Sequence, residues 1–306
     1  MTFHLAPRAP FAFEHTLAAL ATFPGAGPRR RVTREGLDLA LRPSDVGDGA
    51  AVAGPTVARV RSIGTVDAPR LEVVVARTVD DDGRAAVAAS LRRILALDLE
   101  TAPLHEVEDP VFAPVLEALR GYHPPRFASI FEAAAWAVVR QRTPRAFAEA
   151  SMERLARLLG EHLEAFGASF DLFPDASAVD DTSRPALLAA THNTRKVDRL
   201  VPLARRLEGI PVRWFDAARY AEARARLQGL PGLGPWSSEF VLLRGLGRYE
   251  RTPWTDTGAL PALSRLYTPG LTLAGGSARE LAERYGWLQG LWLLYVKRYV
   301  FTLHAA

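Results

Sequence analysis

A carboxylate among hydroxyls, Thr255-Asp256-Thr257-Gly258, follows a proline- and glycine-rich stretch, Leu230-Pro231-Gly232-Leu233-Gly234-Pro235-Trp236, by about twenty residues. A helical pattern from about residue 217 ends near Gln228, and Gly229 suits a left-handed helix cap. Pro235 then stands at the first position of a second helix, which Gly245 closes. The pattern predicts helix, hairpin (229–235), helix. Such a turn, with the start of the helix after it, presents backbone N–H groups that lack an intrahelical partner, and phosphate oxygens can accept them without any reading of base sequence. An ordinary αα-hairpin has the same glycine-rich turn. Asp256 either caps the helix that follows it or acts chemically, by stabilising a developing cation or orienting water.

Other chemistries are restricted by composition. The 306 residues include no cysteine, so disulfides, thiolate zinc sites and cysteine-held iron–sulfur clusters are excluded. The seven histidines include no H-x-x-x-H pair, and His162-Leu163-Glu164 lacks the cysteine partner of a zinc deaminase motif. Of 38 basic residues only Lys196 and Lys297 are lysines, so chemistry through an amine has two candidates. Residues 201–306 carry 14 basic and 8 acidic side chains, whereas the whole chain is only +4. A basic C-terminal third suits contact with a polyanion, and equally an ordinary solvated surface.

The elements that must position these residues fall into two groups. Residues 31–42 and 71–78 read as strands between turns at Pro24–Pro28 and Gly47–Pro55, and Asp82-Gly83 opens a helix with Val87, Leu91, Ile94 and Leu95 on one face. Residues 1–110 are therefore expected to form a small α+β domain. From Pro110 strand signals largely vanish, and residues 111–306 are expected to be all-helical, with helices at 111–120, 129–142, 146–166, 185–191, 195–207, 217–228, 235–244, 277–285 and 288–301. Ser129 and Glu132 have the form of a capping box, and Thr143-Pro144 would end that helix. The N-terminus lacks a signal-peptide core and no run approaches a membrane span, so a cytoplasmic location is expected.

The hairpin, Trp236 and the 22-residue interval from Gly234 to Asp256 together resemble the helix-hairpin-helix DNA glycosylase superfamily. Within it the segment Pro231-Gly232-Leu233-Gly234-Pro235-Trp236-Ser237 is most similar to the hairpin of the 3-methyladenine DNA glycosylase II type. The resemblance covers roughly residues 105–306 by motif and the first hundred by architecture. It implies a base-excision enzyme acting as a monomer on double-stranded DNA with damaged bases, nucleoid-associated when bound, and away from membranes.

By that resemblance Asp256 is the catalytic carboxylate, stabilising the oxocarbenium ion of base removal. Trp236 stands where strand-cleaving members carry a nucleophilic lysine, so water is the expected nucleophile and alkylated purines (3-methyladenine, 7-methylguanine) the expected substrates. Trp236, Phe240 and Trp254 are candidate pocket walls, although aromatic residues at helical spacing are equally core residues. Gly232, Leu233, Gly234 and Ser237 are expected to meet DNA. Gln141 and Arg142 match the wedge that holds the duplex open, or else form a solvated helix end. No iron–sulfur cluster is implied, and a monovalent cation on the hairpin backbone is compatible. The endonuclease III and adenine-glycosylase types want four cysteines. An oxoguanine-type glycosylase is the alternative enzyme, and a non-catalytic helix-hairpin-helix DNA-binding protein the alternative outside enzymes.

Overall fold

In the computed structural model, which describes residues 1–24, 27–43, 54–208, 210 and 212–303, five strands form one antiparallel sheet. They are β1 (Thr2–Leu5), β2 (Arg30–Val32), β3 (Leu37–Leu41), β4 (Thr56–Ser62) and β5 (Leu71–Val75), in the order β1-β5-β4-β3-β2. Along β5 buried and half-buried residues alternate, as expected of a strand with one face on the core. The strand expected over 31–42 is two strands, with a turn at 33–36 in which the Thr33 amide donates to the Gly36 carbonyl. Helix α1 (Phe13–Ala21), β1 and β4 were not anticipated. Helix α2 (Asp81–Ile94) begins where expected, with Asp80 accepting the Gly83 amide at 2.8 Å and Val87, Leu91 and Ile94 facing inward. Residues 25–26 of the first expected turn and 47–53 of the second lie outside the described residues.

Beyond residue 110 come α3 (Ala113–Ala118), α4 (Ile130–Arg140) and α5 (Arg145–Leu159), then a hairpin of β6 (His162–Ala165) and β7 (Ala168–Asp171). That hairpin corrects both the helix expected over 146–166 and the expected loss of strands. Gly160 ends α5 because its backbone lies against the Leu172 carbonyl, where a Cβ would sit 1.7 Å away. Phe170 and Leu172 pack on Ala40 and Val57, which is why β3 is buried along its whole length. The remaining helices are α6 (Arg184–Thr191), α7 (Thr194–Glu208), α8 (Val212–Ala217), α9 (Tyr220–Gln228), α10 (Pro235–Phe240), α11 (Ala259–Tyr267), α12 (Gly275–Glu283) and α13 (Gln289–Arg298). The helix expected over 217–228 is α9, which starts at Tyr220, and neither α8 nor α11 had a counterpart in the pattern. Helix α10 runs into a wider π turn, Val241–Leu246, closed by Gly247 at φ +71 rather than by Gly245.

The two larger apolar cores among the described residues bind these elements, and neither respects a boundary at residue 110. One joins the sheet and α2 to α4, α5, α7 and the hairpin leucines. The other joins Ala19, Ala96, Leu104 and Tyr122 to α11, α12 and α13. Arg93 on α2 fastens the two groups of elements, donating to the carbonyls of Phe127 (2.7 Å) and Gly245 (2.8 Å).

Helix α4 is the centre of the helical part, with Ile130 to Val139 all buried. Ser129 caps it by accepting the Glu132 amide at 3.0 Å. The reciprocal half of the expected capping box is absent, because the buried Glu132 carboxylate instead accepts the Ala128 amide and the Arg29 guanidinium, each at 3.1 Å. One buried carboxylate thus ties the start of α4 to the N-terminal sheet.

Candidate active site

The hairpin is held by what it buries and shows what it does not. The Leu230 amide donates to Leu227 and the Leu233 amide to Leu230, and both leucines are buried in the larger core. Gly232, at φ +80, takes the left-handed turn conformation. Gly229 does not: its φ is −74, so it continues the helical backbone instead of capping it in the left-handed region. Pro235 occupies the first turn of α10, and the Ser238 amide and hydroxyl both bond the Gly234 carbonyl, at 3.0 and 2.9 Å. Gly234 itself is exposed, with no atom within 4 Å of where a Cβ would stand. The turn therefore offers backbone to solvent at the start of a helix, the arrangement that suits a phosphate.

The end of α4 is fastened to that turn. Gln141 Nε2 donates to the Gly232 carbonyl at 2.7 Å and to Ser237 Oγ at 3.0 Å, while its Oε1 accepts Arg199 of α7 at 2.5 Å. Lys196, buried at 6% exposure, donates its ammonium to the Val139 carbonyl (2.6 Å) and Thr143 Oγ1 (2.5 Å), satisfying a carbonyl that the helix end leaves open. Burial holds the Lys196 pKa below its usual value, and the nearby Arg140 acts in the same direction. Between these clamps Arg142 is forced out, exposed and at φ +50, a conformation uncommon for residues with a side chain.

Asp256 lies in a loop fixed from two sides. Thr255 Oγ1 donates to Glu239 of α10 at 2.5 Å, and Glu239 also pairs with Arg224 of α9 at 2.9 Å, so the hairpin helices hold this loop directly. On the other side the Gly290 amide of α13 donates to Tyr249 at 2.8 Å. The Asp256 carboxylate accepts the Gly258 amide on Oδ1 (2.9 Å) and Lys297 Nζ of α13 on Oδ2 (2.5 Å). The first bond is a local turn and not a helix cap, since Gly258 is the residue at the cap of α11.

Two cavities meet at this carboxylate. A cleft of about 660 Å³ is lined by Arg140, Gln141, Arg142, Arg195, Lys196 and Arg199 with Thr255, Asp256 and Thr257. A second cavity of about 440 Å³ has aromatic walls from Phe23, Tyr122, Trp136, Trp236, Phe240 and Phe301. Arg140, Trp236 and Asp256 line both. Trp236 and Phe240 stack with ring centroids 5.4 Å apart, and Arg244 lies 4.7 Å over the Phe23 ring. A basic cleft thus opens, past one carboxylate, into an aromatic chamber of a size suited to a small ring system.

No family model matches the chain. It is 28% identical over 300 residues to a probable bifunctional transcriptional activator/DNA repair enzyme AlkA of Mycobacterium tuberculosis, a match covering 95% of this chain and 56% of that protein. The chain thus spans little more than half the length of this relative. In fold it is similar to a 3-methyladenine DNA glycosylase from Archaeoglobus fulgidus (TM-score 0.78, 22% identity), covering 98% of this chain and 99% of that one. The chain is thus similar in sequence to a DNA repair enzyme and shares the fold of a DNA glycosylase. An 8-oxoguanine glycosylase/lyase from Clostridium acetobutylicum has a similar fold (TM-score 0.70, 14% identity, 97% and 96% covered), so the fold alone does not select among such activities.

The expected site residues do not all come together. Asp256, Trp236 and Phe240 line the aromatic cavity and Gln141 and Arg142 the cleft, whereas Gly234 is exposed on the hairpin and lines neither. Trp254 lines neither cavity; it packs on the C-terminal core with the Arg279 guanidinium 5.5 Å from its ring, because the 252–256 turn directs it away. The Leu233 and Ser237 side chains are buried and serve the hairpin from within, so only backbone there can meet DNA. Gln141 likewise spends its amide on the hairpin and is no free wedge. Phe23, Tyr122, Trp136 and Phe301 carried no local signal. Lys196 and Lys297 did carry one, as the chain's only lysines. Among the described residues no group of His, Asp and Glu could hold a metal, and no helix is long and apolar enough to cross a membrane.

Proposed function

We propose that this chain is a monofunctional DNA glycosylase that removes alkylated purines, of the 3-methyladenine and 7-methylguanine type, from duplex DNA. The observation that carries this reading is the position of Asp256, on the boundary between a cleft rich in cations and a chamber of aromatic rings. The hairpin backbone and Arg142, Arg195 and Arg199 would receive phosphates, and the damaged nucleotide would turn out of the stack past Trp236. Its base would then lie among Trp236, Phe240 and Phe23, with C1′ beside Asp256. A carboxylate there stabilises the cationic sugar formed as the glycosidic bond breaks. Water completes the substitution, leaving an abasic site and an intact strand, since Trp236 offers no amine at the position where strand-cleaving members of the family carry lysine.

Aromatic walls favour a methylated, positively charged purine through stacking and cation–π contact, worth ~0.5–2 kcal/mol. The names of the Mycobacterium and Archaeoglobus proteins point the same way. A second reading, an oxoguanine-type preference for neutral bases, draws on the cations Arg140, Arg145, Arg244, Lys297 and Arg298, which line the same chamber. A monovalent cation at the hairpin would need carbonyl ligands, and those of Leu230, Gly232 and Gly234 already accept hydrogen bonds. Each carbonyl keeps lone-pair capacity beyond those bonds, so the turn stays compatible with such an ion, and no step depends on one.

Duplexes with single defined lesions, incubated with the protein and analysed with and without alkali, test the reading. Strand breakage only after alkali, at 3-methyladenine and 7-methylguanine, is expected. Breakage without alkali, or release of 8-oxoguanine alone, would replace it with the second reading.

A further inference from the structure

We propose that Lys297 is a catalytic acid that protonates a neutral purine at N3 as it leaves, extending excision from bases already cationic to neutral lesions. This rests on the glycosylase reading above. Its basis is the side of Asp256 on which the ammonium stands. Asp256 lines both cavities, whereas Lys297 lines the aromatic one and not the cleft, so the cation is on the base side of the carboxylate. Lys297 Nζ lies 2.5 Å from Asp256 Oδ2 and sits over the same turn, 3.2 Å from where a Cβ of Gly258 would be.

An ammonium has three N–H donors, and among the described residues the hydrogen bond to Asp256 is the only one it makes. With the carboxylate beside C1′, the ring nitrogen nearest to it is N3, which is cis to C1′ across the N9–C4 bond, whereas N7 is trans to C1′ across N9–C8 and points away. The step balances without a further reactant. The N9–C1′ bonding pair goes to the base, and a proton of Lys297 goes to N3. Water adds to C1′, losing a proton to Asp256, and the ion pair returns that proton to Lys297. Water and nucleotide become free base and abasic site. An ion-paired ammonium has no lone pair for attack on C1′, so a proton donor is the role its geometry suits.

The chemistry separates substrates. Hypoxanthine leaves as an anion unless protonated and has a free N3. 3-Methyladenine is cationic, leaves neutral, and carries its methyl on N3, so Lys297 has nothing to deliver. Single-turnover excision of the two lesions should therefore be compared in the wild type, Lys297→Met and Lys297→Arg, with thermal melts to establish folding. The ratio of hypoxanthine to 3-methyladenine rates should fall at least about thirtyfold in Lys297→Met. Arginine keeps the ion pair but holds its proton, so Lys297→Arg should recover 3-methyladenine excision and not hypoxanthine excision. Equal losses on both substrates, or recovery of both by arginine, would leave Lys297 only positioning Asp256 and overturn the proposal. So would a wild type that excises 3-methyladenine but not hypoxanthine, or a borohydride-trapped adduct that Lys297→Met abolishes. A wild type inactive on every lesion would instead sink the glycosylase reading itself.

Discussion

Gln141 Nε2 and the Gly232 carbonyl are 2.7 Å apart, a bond between residues 91 positions distant that joins the end of the central helix to the tip of the hairpin. With the second bond to Ser237, it makes the cleft wall and the phosphate-facing turn one unit. Replacing Gln141 by alanine should therefore loosen the hairpin, costing about 1–3 kcal/mol in denaturant unfolding for two lost hydrogen bonds, and weaken binding to damaged and undamaged duplexes alike. If stability were unchanged and only lesion-bearing duplexes bound less well, Gln141 would be acting inside the DNA stack and not beneath the hairpin.

Asp256 tests the chemistry without disturbing the cleft. Asp256→Asn keeps an acceptor for the Gly258 amide and should still bind lesion DNA, while excision of alkylated purines falls at least about a hundredfold, the size of comparable electrostatic contributions to catalysis. Single-turnover kinetics on a 7-methylguanine duplex would measure this. Turnover near the wild-type rate would remove Asp256 from the reaction.

Gly234 offers a clean probe of the hairpin, because its φ of −85 suits any residue and the space around a Cβ is open. Gly234→Asp should fold normally and weaken all duplexes to the same degree, since it puts a carboxylate where backbone N–H groups face phosphate. Binding titrations on damaged and undamaged DNA decide it; a loss confined to damaged DNA would contradict a backbone anchor.

His123 sets an acid limit on stability. It is fully buried, its Nδ1 lies 2.8 Å from the Ala96 carbonyl, and burial pushes its pKa down from 6.5 to about 4. Between those values the unfolded chain binds a proton that the folded chain does not, so stability is complete above pH 6.5 and falls as pH drops toward 4. The loss between pH 7.5 and 5 should be on the order of 2 kcal/mol. His123→Phe should flatten that dependence in urea titrations at the two pH values, and an unchanged slope would assign the acid sensitivity elsewhere.

Much of this site is readable along the chain because its parts are local. The hairpin turn follows from backbone chemistry at Pro231, Gly232 and Pro235, and the interval from Gly234 to Asp256 is a matter of counting; both survive whatever the helices pack against. The helices of residues 111–306 were legible where one face is apolar over several turns. The β6–β7 hairpin was not, because its residues are mostly half-exposed and its reason to be a strand pair lies on the sheet, in Ala40 and Val57. The pocket walls show the same limit more sharply. Trp236 and Phe240 share a helix face and stack, but Phe23, Tyr122 and Phe301 reach the chamber from distant parts of the chain, and Trp254, close to Asp256 in sequence, points away. Tertiary packing alone brought Lys297 across 41 residues onto Asp256 and Gln141 onto the Gly232 carbonyl. A sequence pattern specifies backbone shape and which face is apolar; which side chains share a cavity depends on how those faces meet.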